Sequence, residues 1–413
     1  MNLQFHLISF EGPDSYCRAG GLSTRVSGLA SGLVGSGFET HVWFVGDPDL
    51  VGHEQVGNLH LHRWCQWLSS YHRAGVYDGE EVKRVDLAES LPPFLLHQVL
   101  RQHVENGGAG VVLAEEWQTA DAVLHLDWLL RCEGLRDRTC VLWNANNTFG
   151  FDRIDWPRLN QAVMITTVSR FMKHQMWKIG VDPIVIPNGL TPDAFCLPQP
   201  RDVSALRGRS RGRLLLAKIA RWDPDKRWLL AIDIVRDLKQ EGLRPLLLAR
   251  GGAEAHEREV LQRALECRLR VAHRPVRVPG VTGLLHALTH ADDADVINLT
   301  THLDGEAKRC LFRAADVVLA NSGREPFGLV GLEAMAVGGL TCTGCTGEEY
   351  AVPGKNAIVQ QTSDPREFID LFRYVRAEAG QERTVRKDAM ATARDYAWTV
   401  VLQRNLLPRV AAG

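Results

Sequence analysis

The sequence predicts an α/β protein with two domains, each built around a sheet of parallel strands. The chain has 413 residues, which is more than one ordinary hydrophobic core accommodates. In both halves, short apolar runs that are typical of buried parallel strands alternate with apolar residues at helical spacing. Pro, Arg and Gly dominate residues 192–209, so we place the domain boundary near this stretch.

Composition limits the classes of function. Hydrophobic residues make up 45% of the chain and charged residues 23%, as in soluble globular proteins. The net charge of −1 does not favour binding of nucleic acid or attachment to a membrane through basic residues. The N-terminal stretch lacks the features of a signal peptide, and no apolar run approaches the roughly 18 residues of a membrane span. We therefore expect a cytoplasmic protein without an integral membrane segment.

Nine cysteines are scattered along the chain, and this odd number indicates reduced thiols. Cys342 and Cys345 form one C-x-x-C pair. A metal site needs further ligands at suitable spacing, and no second pair is present. We expect both cysteines to be small residues of a glycine-rich turn, and we predict no metal site.

The first half begins with a βαβ unit. Leu3–Ile8 and Thr40–Val45 are predicted strands. The helix between them is indicated by four apolar residues on one face, Leu22, Val26, Leu29 and Leu33. The loop before this helix lies at the carboxyl end of the first strand, where open α/β sheets bind ligands. Gly20 and Gly21 in this loop would let a phosphate approach the backbone amides, and Arg18 could supply a bidentate charge.

Strands and helices continue to alternate up to the domain boundary. A helix is predicted to follow Leu91-Pro92-Pro93 and to extend to about Val104. Ser169 caps the predicted helix Arg170–Lys178. The other predicted elements of this half are Val111–Ala114, Ala120–Leu130, Cys140–Trp143, Val163–Val168 and Ile184–Ile186.

The second half repeats the pattern. Its predicted elements are the strands Leu214–Ile219, Pro245–Ala249 and Val296–Leu299, the helix Leu303–Ala314 and a final helix Ala397–Val410. Arg221 and Lys226 follow the first of these strands in a charged turn.

The most informative stretch is N-S-G-R-E-P-F-G-L-V-G-L-E, residues 321–333. It joins the predicted strand Asp316–Ala320 to a helix, and Pro326 is expected in the first helical turn because its missing N–H is no loss there. Gly323 and Gly328 would let a ligand approach the backbone closely. The start of a helix favours an anion, typically a phosphate.

Two carboxylates flank the start of this helix. Glu325 precedes it and Glu333 lies in its second turn. Carboxylates do not bind phosphate, but they accept hydrogen bonds from neutral hydroxyls such as those of a sugar and a ribose.

The stretch E-P-F-G-L-V-G-L-E resembles the Glu-x7-Glu signature of the family-4 retaining glycosyltransferases, which have the GT-B fold. This resemblance implies that Glu325 contacts the hydroxyls of the donor sugar and that Glu333 holds the ribose. It also implies that the amides of the Phe327-Gly328-Leu329 loop meet the sugar and the diphosphate.

The charged turn A-R-W-D-P-D-K resembles another segment of the same family, G-R-L-x-x-x-K-G. The resemblance implies that Arg221 and Lys226 point into the cleft and neutralise the diphosphate. Two fixed cations together with a helix N-terminus can stabilise a phosphate as a metal ion does in other enzymes.

Two stretches of the first half resemble glycogen and starch synthases. R-A-G-G-L-S is similar to their K-T-G-G-L-A loop, with Arg18 in the place of the lysine, and E-E-W-Q-T is similar to H-D-W-Q-T, with Glu116 in the place of the aspartate. Many family members carry a histidine near the acceptor after the next strand, where this chain has Asn144, Asn146 and Asn147. An amide can orient an acceptor hydroxyl, but it cannot serve as a base.

Together these resemblances imply a GT-B protein of two Rossmann-like domains facing across a cleft. The domains would be residues 1–195, on the acceptor side, and residues 196–395, which bind the donor. A C-terminal helix, residues 396–413, would cross back to the first domain. The implied reaction moves a glucose-like hexose from a nucleoside-diphosphate sugar to a hydroxyl acceptor, with retention at the anomeric carbon and without a metal or another cofactor.

Three alternatives stay open at this point. One is another GT-B enzyme, an epimerase or a phosphorylase, which would need acid/base residues in the cleft or a pyridoxal-phosphate lysine. The second is a non-catalytic protein that binds nucleotide sugars. The third is a dinucleotide oxidoreductase, against which no G-x-G-x-x-G follows Leu3–Ile8. The base, the sugar, the acceptor and the oligomeric state do not follow from the motifs.

Overall fold

The computed structural model describes residues 2–289 and 293–411. The chain divides into two compact units, which differ slightly in their bounds from the predicted domains. Unit 1 comprises Met1–Thr191 together with Tyr396–Gly413, and unit 2 comprises Pro192–Asp395.

Unit 1 is built around an eight-stranded sheet with the order β3-β4-β2-β1-β5-β6-β7-β8. Its strands are β1 (Leu3–Ser9), β2 (Glu39–Val45), β3 (His53–Val56), β4 (Leu59–Trp64), β5 (Ala109–Glu115), β6 (Thr139–Ala145), β7 (Met164–Thr167) and β8 (Ile184–Val185). Every neighbouring pair is parallel except the hairpin of β3 and β4. The central strands β1 and β5 are buried nearly throughout, which explains their continuous apolar runs.

The helices of unit 1 connect these strands, and the last two follow unit 2 in the chain. They are α1 (Gly21–Gly35), α2 (Gln66–Ser69), α3 (Glu80–Leu95), α4 (Arg101–Glu105), α5 (Ala120–Cys132), α6 (Trp156–Ala162), α7 (Arg170–Trp177), α16 (Trp398–Val401) and α17 (Leu407–Val410). The predicted cap of α7 is confirmed, because the Met172 amide donates to the Ser169 hydroxyl over 3.1 Å.

Pro92 and Pro93 lie inside α3, so the prediction that they precede a helix is wrong. A proline within a helix lacks the N–H that would bond to the carbonyl four residues earlier. For Pro92 that carbonyl belongs to Ala88, and the Nδ1 atom of His125 lies 2.8 Å from its oxygen. A side chain thus replaces the missing backbone bond. A π-helical turn, Leu96–Leu100, then connects α3 to α4.

Unit 2 contains a seven-stranded parallel sheet with the order β11-β12-β10-β9-β13-β14-β15. Its strands are β9 (Leu214–Ile219), β10 (Pro245–Arg250), β11 (Val271–Arg274), β12 (Val296–Leu299), β13 (Val317–Ala320), β14 (Thr341–Thr343) and β15 (Ile358–Val359). Its helices are α8 (Pro200–Arg209), α9 (Trp228–Gln240), α10 (Glu257–Glu266), α11 (Gly280–Ala287), α12 (Gly305–Ala314), α13 (Leu329–Ala336), α14 (Pro365–Ala377) and α15 (Gln381–Asp395). Apolar side chains fill both faces of this sheet.

The stretch predicted as a boundary is partly helical, since α8 occupies its second part. Pro200 is the first residue of α8, where a proline costs no hydrogen bond.

The C-terminal segment packs on α1 within unit 1. It consists of α16, a π-helical turn (Leu402–Leu406) and α17, rather than one regular helix. The ring of Trp398 lies so close to α1 that a Cβ atom at Gly28 would be 2.3 Å from its Nε1 atom. At Gly189, a Cβ atom would be 2.6 Å from the same ring. These glycines therefore make room for the tryptophan.

Candidate functional site

In unit 2 the loops after β9 and β13 lie side by side. The two strands are neighbours in a parallel sheet, so their carboxyl ends meet at the same edge. The Gly323 amide donates to the Asp225 carbonyl over 2.7 Å and ties the loops together. The charged turn that carries Lys226 and the loop that carries Glu325 therefore form one surface, as the motifs predict.

Each of the two predicted carboxylates is paired with a lysine. Lys226 forms a short ion pair with Glu325, and both side chains are largely buried. The Lys308 ammonium on α12 donates to Glu333 over 2.8 Å. Arg221, in contrast, has a side chain that is 62% exposed, and its guanidinium lies 3.8 Å from Asp223. Arg221 is thus at the rim, whereas Lys226 is inside.

Helix α13 begins at Leu329 with Gly328 as its N-cap, so Pro326 lies before the helix and not in its first turn. The reason is the contact with the turn after β14. The Glu325 amide donates to the Thr346 hydroxyl over 2.8 Å, and a Cβ atom at Gly347 would lie 2.2 Å from the Pro326 carbonyl oxygen. This contact holds the backbone in a loop up to Phe327, whose side chain is buried.

Gly328 is required by packing within the protein. A Cβ atom on Gly328 would be 2.6 Å from the Cγ atom of Glu348 and 3.0 Å from the Tyr350 hydroxyl oxygen. The Tyr350 hydroxyl also donates to the Gly328 carbonyl. The glycine therefore allows the start of α13 to dock on this turn, which is a different role from the predicted close approach of a ligand.

Glu348 is a buried carboxyl beside the start of α13, and it belongs to none of the motif positions predicted for the site. Its Oε2 atom accepts from the Thr346 amide over 3.1 Å. Its Oε1 atom has no hydrogen-bond partner in the described part of the chain. Burial, and in second place the charge of Glu325, raise the pKa of Glu348 to about 8. At pH 7 the raised pKa therefore favours the neutral acid.

A second missed residue, Lys218, lies under the loop after β13. Its ammonium is buried and donates to the Asn321 side chain over 2.9 Å and to the Leu319 carbonyl over 3.2 Å. Asn321 in turn donates to the Gln360 side chain over 2.8 Å. Burial lowers the pKa of Lys218 to about 7. This polar network fixes the backbone from which the Glu325 loop departs.

The predicted phosphate loop of unit 1 holds a carboxylate of the protein itself. Glu11 Oε2 accepts from the amides of Ala19, Gly20 and Ser23 at 3.3, 3.1 and 3.1 Å. Its other oxygen accepts from the Tyr77 hydroxyl over 2.6 Å. A phosphate at Gly20 would have to compete with this carboxylate. No described atom within 4 Å would meet a Cβ atom on Gly20 or Gly21, so the loop is open outward.

Arg18 lies at the surface beside this loop. Its side chain is exposed, and its Nε atom donates to the Pro13 carbonyl over 2.6 Å. Within the described residues, no contact joins the Arg18 side chain to the amides that Glu11 occupies.

Glu115, at the carboxyl end of β5, is the centre of a buried polar network in unit 1. The Arg25 guanidinium donates to both of its oxygens, at 3.0 and 3.1 Å. The side-chain amides of Asn144 and Asn146 each donate to Oε2 over 2.8 Å. Arg25 also donates to Asn188 over 2.7 Å. Asn144 is therefore fully engaged inside the protein, while Asn146 is only half-buried.

Glu116 differs from its neighbour. Its φ angle of 68° is in the left-handed region, which is strained for this residue type. Its carboxylate accepts from the Asn146 amide over 2.7 Å and from the Asn147 side chain over 3.2 Å. Burial raises the pKa of Glu116 to about 8, and the charge of Glu115 acts in the same direction. Glu116, Asn144 and Asn146 thus lie together, as the motifs predict.

The residues missed by sequence reasoning are the partners that the folded chain brings to the motifs. They are Glu11, Arg25, Lys218, Lys308 and Glu348. A signal was available for Arg25 and Lys218, since each is a charged residue at a position where the strand or helix pattern predicts burial. No local pattern identifies Lys308, because its side chain is only half-buried and its partner lies on another helix.

Two further observations concern metals and membranes. All nine cysteines are free, Cys342 is buried in β14, and Cys345 is exposed. Within residues 2–289 and 293–411, no helix has both the length and the apolar character that crossing a bilayer requires.

Comparison with known sequences points to glycosyltransferases. Residues 284–390, which include α13, match the family of glycosyl transferases group 1. A D-inositol 3-phosphate glycosyltransferase from Kribbella flavida is 30% identical in an alignment of 180 residues that covers 39% of this chain. The match covers 39% of that relative's length.

Solved structures match over nearly the whole chain. A sucrose-phosphate synthase from Thermosynechococcus elongatus superimposes with a TM-score of 0.64 at 18% identity, covering 99% of this chain and 100% of that one. The catalytic domain of starch synthase IV from Arabidopsis thaliana, bound to ADP and acarbose, gives a TM-score of 0.67 at 16% identity and covers 98% and 100%. The predicted fold class is thereby confirmed: the chain has the GT-B fold, and residues 284–390 match the glycosyl transferases group 1 family.

Proposed function

We propose that this chain is a retaining glycosyltransferase. It moves a glucose-like hexose from a nucleoside-diphosphate sugar to a hydroxyl acceptor and needs neither a metal nor another cofactor for this step. We also propose that it acts in the cytoplasm. The match of residues 284–390 to glycosyl transferases group 1 and the GT-B fold support the class of reaction.

The observation that carries the proposal is the pairing of two carboxylates with two lysines around the start of α13. Glu325 and Glu333 are held by Lys226 and Lys308, and their side chains keep 16% and 20% of their surface exposed. Partly exposed pairs of this kind can open when a ligand offers hydroxyls to the carboxylates and a diphosphate to a lysine. The proposed ligand has both groups, a sugar with a ribose and a diphosphate between them.

The proposed chemistry is stabilisation of the leaving group. As the anomeric bond breaks, the sugar becomes oxocarbenium-like and negative charge grows on the diphosphate. We assign the stabilisation of that charge to Lys226, Arg221 and backbone amides of the first turn of α13. Glu348, which lies against Gly328 and is kept neutral at pH 7 by its raised pKa, adds no negative charge near the phosphate.

Glu325 orients the sugar, and Glu333 accepts from the ribose. Both roles reduce the entropy that must be lost in reaching the transition state. On the acceptor side, we propose that Glu116 and Asn146 bind acceptor hydroxyls, since they lie at the carboxyl ends of β5 and β6 and Asn146 is half-buried. Asn144 positions Glu115 and does not contact the acceptor. In a retaining step without a protein nucleophile, the departing phosphate takes the acceptor proton.

Turnover of nucleotide sugars tests the proposal. We would incubate the protein with UDP-, GDP- and ADP-glucose, with and without EDTA, and measure release of the nucleoside diphosphate. Glu325→Gln should lower kcat by about 100-fold, because it disturbs the orientation of the sugar. Glu241→Gln is the matched control, because Glu241 also forms ion pairs in unit 2 and is 20% exposed.

The outcomes separate the candidates. Release that persists in EDTA and is lost in Glu325→Gln supports the transferase. If a nucleotide sugar binds saturably but is not turned over with any sugar acceptor tried, the protein only binds nucleotide sugars and the transferase proposal is wrong. Equal loss of turnover in both variants would show that Glu325 has no specific role.

A further inference from the structure

Five histidines lie on one face of the sheet of unit 1. In the register of β1, β2 and β4, His6 pairs with His41, and His41 pairs with His60. His62 is two residues beyond His60 and therefore points to the same face. His53 of β3 pairs with His62. The side-chain alternation of four adjacent strands thus collects these imidazoles in one place.

Three of these histidines present ring nitrogens to one another. One ring nitrogen from each of His41, His60 and His62 lies within 4.8 Å of those of the other two. His41 Nδ1 and His62 Nε2 are 3.0 Å apart. The rings of His41 and His60 are stacked with centroids 4.2 Å apart. Such a group of imidazoles is a set of ligands for a transition metal.

The surroundings favour ligands over ordinary buried histidines. His6 is satisfied within the protein, because its two nitrogens lie 3.0 Å from the Gln4 side-chain oxygen and 3.3 Å from the Trp43 indole nitrogen. The imidazole of His60 forms no hydrogen bond in the described part of the chain, and its Nε2 atom is 3.7 Å from Glu39. The His60 side chain keeps 13% of its surface exposed, and a shared metal would require this stacked ring to turn about its Cβ–Cγ bond.

A carboxylate completes the arrangement. Glu39 Oε1 lies 3.2 Å from His41 Nε2, on the side of the ring that faces away from His62. Metal-bound histidines commonly donate their second N–H to a carboxylate in this way, which fixes the tautomer. With the proton on Nε2, His41 offers the Nδ1 lone pair.

We propose that His41, His60 and His62 bind one divalent transition-metal ion of the zinc type, oriented by Glu39. Two nitrogens that share a tetrahedral zinc at about 2.0–2.1 Å are about 3.3 Å apart. The 3.0 Å between His41 and His62 thus needs to open by only a few tenths of an ångström. Imidazole ligands select zinc, nickel or copper over magnesium and calcium. Water fills the fourth position.

The place of the site in the fold indicates a structural role. His41 and His60 lie near the amino ends of β2 and β4, whereas the Gly20 loop and Glu116 follow the carboxyl ends of β1 and β5. The ion would join β2 to β4 and so hold the hairpin of β3 and β4 on the sheet. Its removal should lower thermal stability and leave nucleotide binding unchanged, so this proposal stands independently of the proposed function.

Metal binding by the full chain, without an affinity tag, tests this proposal. The protein would be stripped with EDTA, dialysed and titrated with Zn²⁺ by calorimetry, with bound metal measured by mass spectrometry. We expect one equivalent of Zn²⁺, a rise in Tm, and an intense visible spectrum of the Co²⁺ form, as tetrahedral coordination gives. Mg²⁺ and Ca²⁺ at the same concentration should not compete.

Two variants make the test specific. His60→Gln should weaken Zn²⁺ binding by at least about tenfold and abolish the rise in Tm, since loss of a ligand costs at least as much as loss of an outer partner. His53→Gln should retain one equivalent, although His53 stacks on His62 with centroids 4.6 Å apart. Tm without metal checks that both variants fold. If no saturable Zn²⁺ binding occurs below millimolar concentration, or if both variants bind equally, the proposal is wrong.

Discussion

The carboxylates of the two units are held in different ways. In unit 1, Glu115 is completely buried and its oxygens accept from Arg25, Asn144 and Asn146. In unit 2, Glu325 and Glu333 are each paired with one lysine and stay partly exposed. A buried and fully satisfied carboxylate is part of the framework. A partly exposed carboxylate with a single lysine partner can exchange that partner for a ligand.

The strongest way to break this comparison is to remove the cation of the unit 1 network. Arg25→Ala leaves Glu115 buried without a counter-charge, which should lower the free energy of unfolding by about 3–5 kcal/mol. Denaturant titration of the variant measures this loss. Arg131→Ala, which breaks the ion pair of a 56% exposed arginine with Asp127, should cost at most about 1 kcal/mol. Equal losses in the two variants would show that the Glu115 network is not a special part of the framework.

Smaller effects on the free energy of unfolding are expected when one glycine of each predicted phosphate loop is replaced by alanine. Gly328→Ala places a methyl group against Glu348 and Tyr350, and overpacking of this kind should cost about 1–3 kcal/mol. Gly20→Ala meets no described atom within 4 Å, and φ at this residue is −171°, so its free energy of unfolding should change by less than about 0.5 kcal/mol. Thermal and chemical unfolding of the two variants would be compared. A larger loss of stability in Gly20→Ala than in Gly328→Ala would contradict this difference between the two loops.

The pH dependence of stability tests whether Glu348 is protonated in the folded chain. Its folded pKa of about 8 is above the ordinary value of 4.5, so it stays protonated in the folded chain while it ionises in the unfolded chain. Its stabilising contribution is complete below pH 4.5 and is lost as the pH rises through 8. Between these limits the free energy of unfolding should fall by up to about 1.4 kcal/mol per pH unit. Glu348→Gln should remove this part of the slope, and an unchanged slope would show that the carboxyl is ionised in the folded chain.

Much of the fold could be predicted because apolar runs and helical spacing are local signals. Leu214–Ile219 and Val296–Leu299 have the predicted bounds as strands, since both are continuous apolar runs in a buried parallel sheet. The errors lie where distant residues override a local rule. Pro92 is accepted inside α3 because His125 of another helix takes over the free carbonyl, and Pro326 is kept outside α13 by the turn that contains Thr346.

The candidate site also divides into residues with local sequence signals and residues that only the fold brings into contact. Motif spacing predicted Glu325, Glu333 and Lys226 as site residues, and the loops of Lys226 and Glu325 follow neighbouring strands whose carboxyl ends meet at one edge of the sheet. It could not identify Lys308, which reaches Glu333 from another helix. It also could not show that Glu11 occupies the Gly20 amide, because a carboxylate nine residues away gives no local signal.

Binding of nucleoside diphosphates to the wild-type chain and to Glu333→Ala tests the central claim most directly. Calorimetric titrations with UDP, GDP and ADP in the presence of EDTA should show that one of them binds. Its affinity should fall at least about tenfold in Glu333→Ala, because a charge-assisted hydrogen bond to the ribose is lost, and should be unchanged in Glu241→Gln. If no nucleotide binds the folded protein, or if both variants bind like the wild type, the start of α13 is not the donor site.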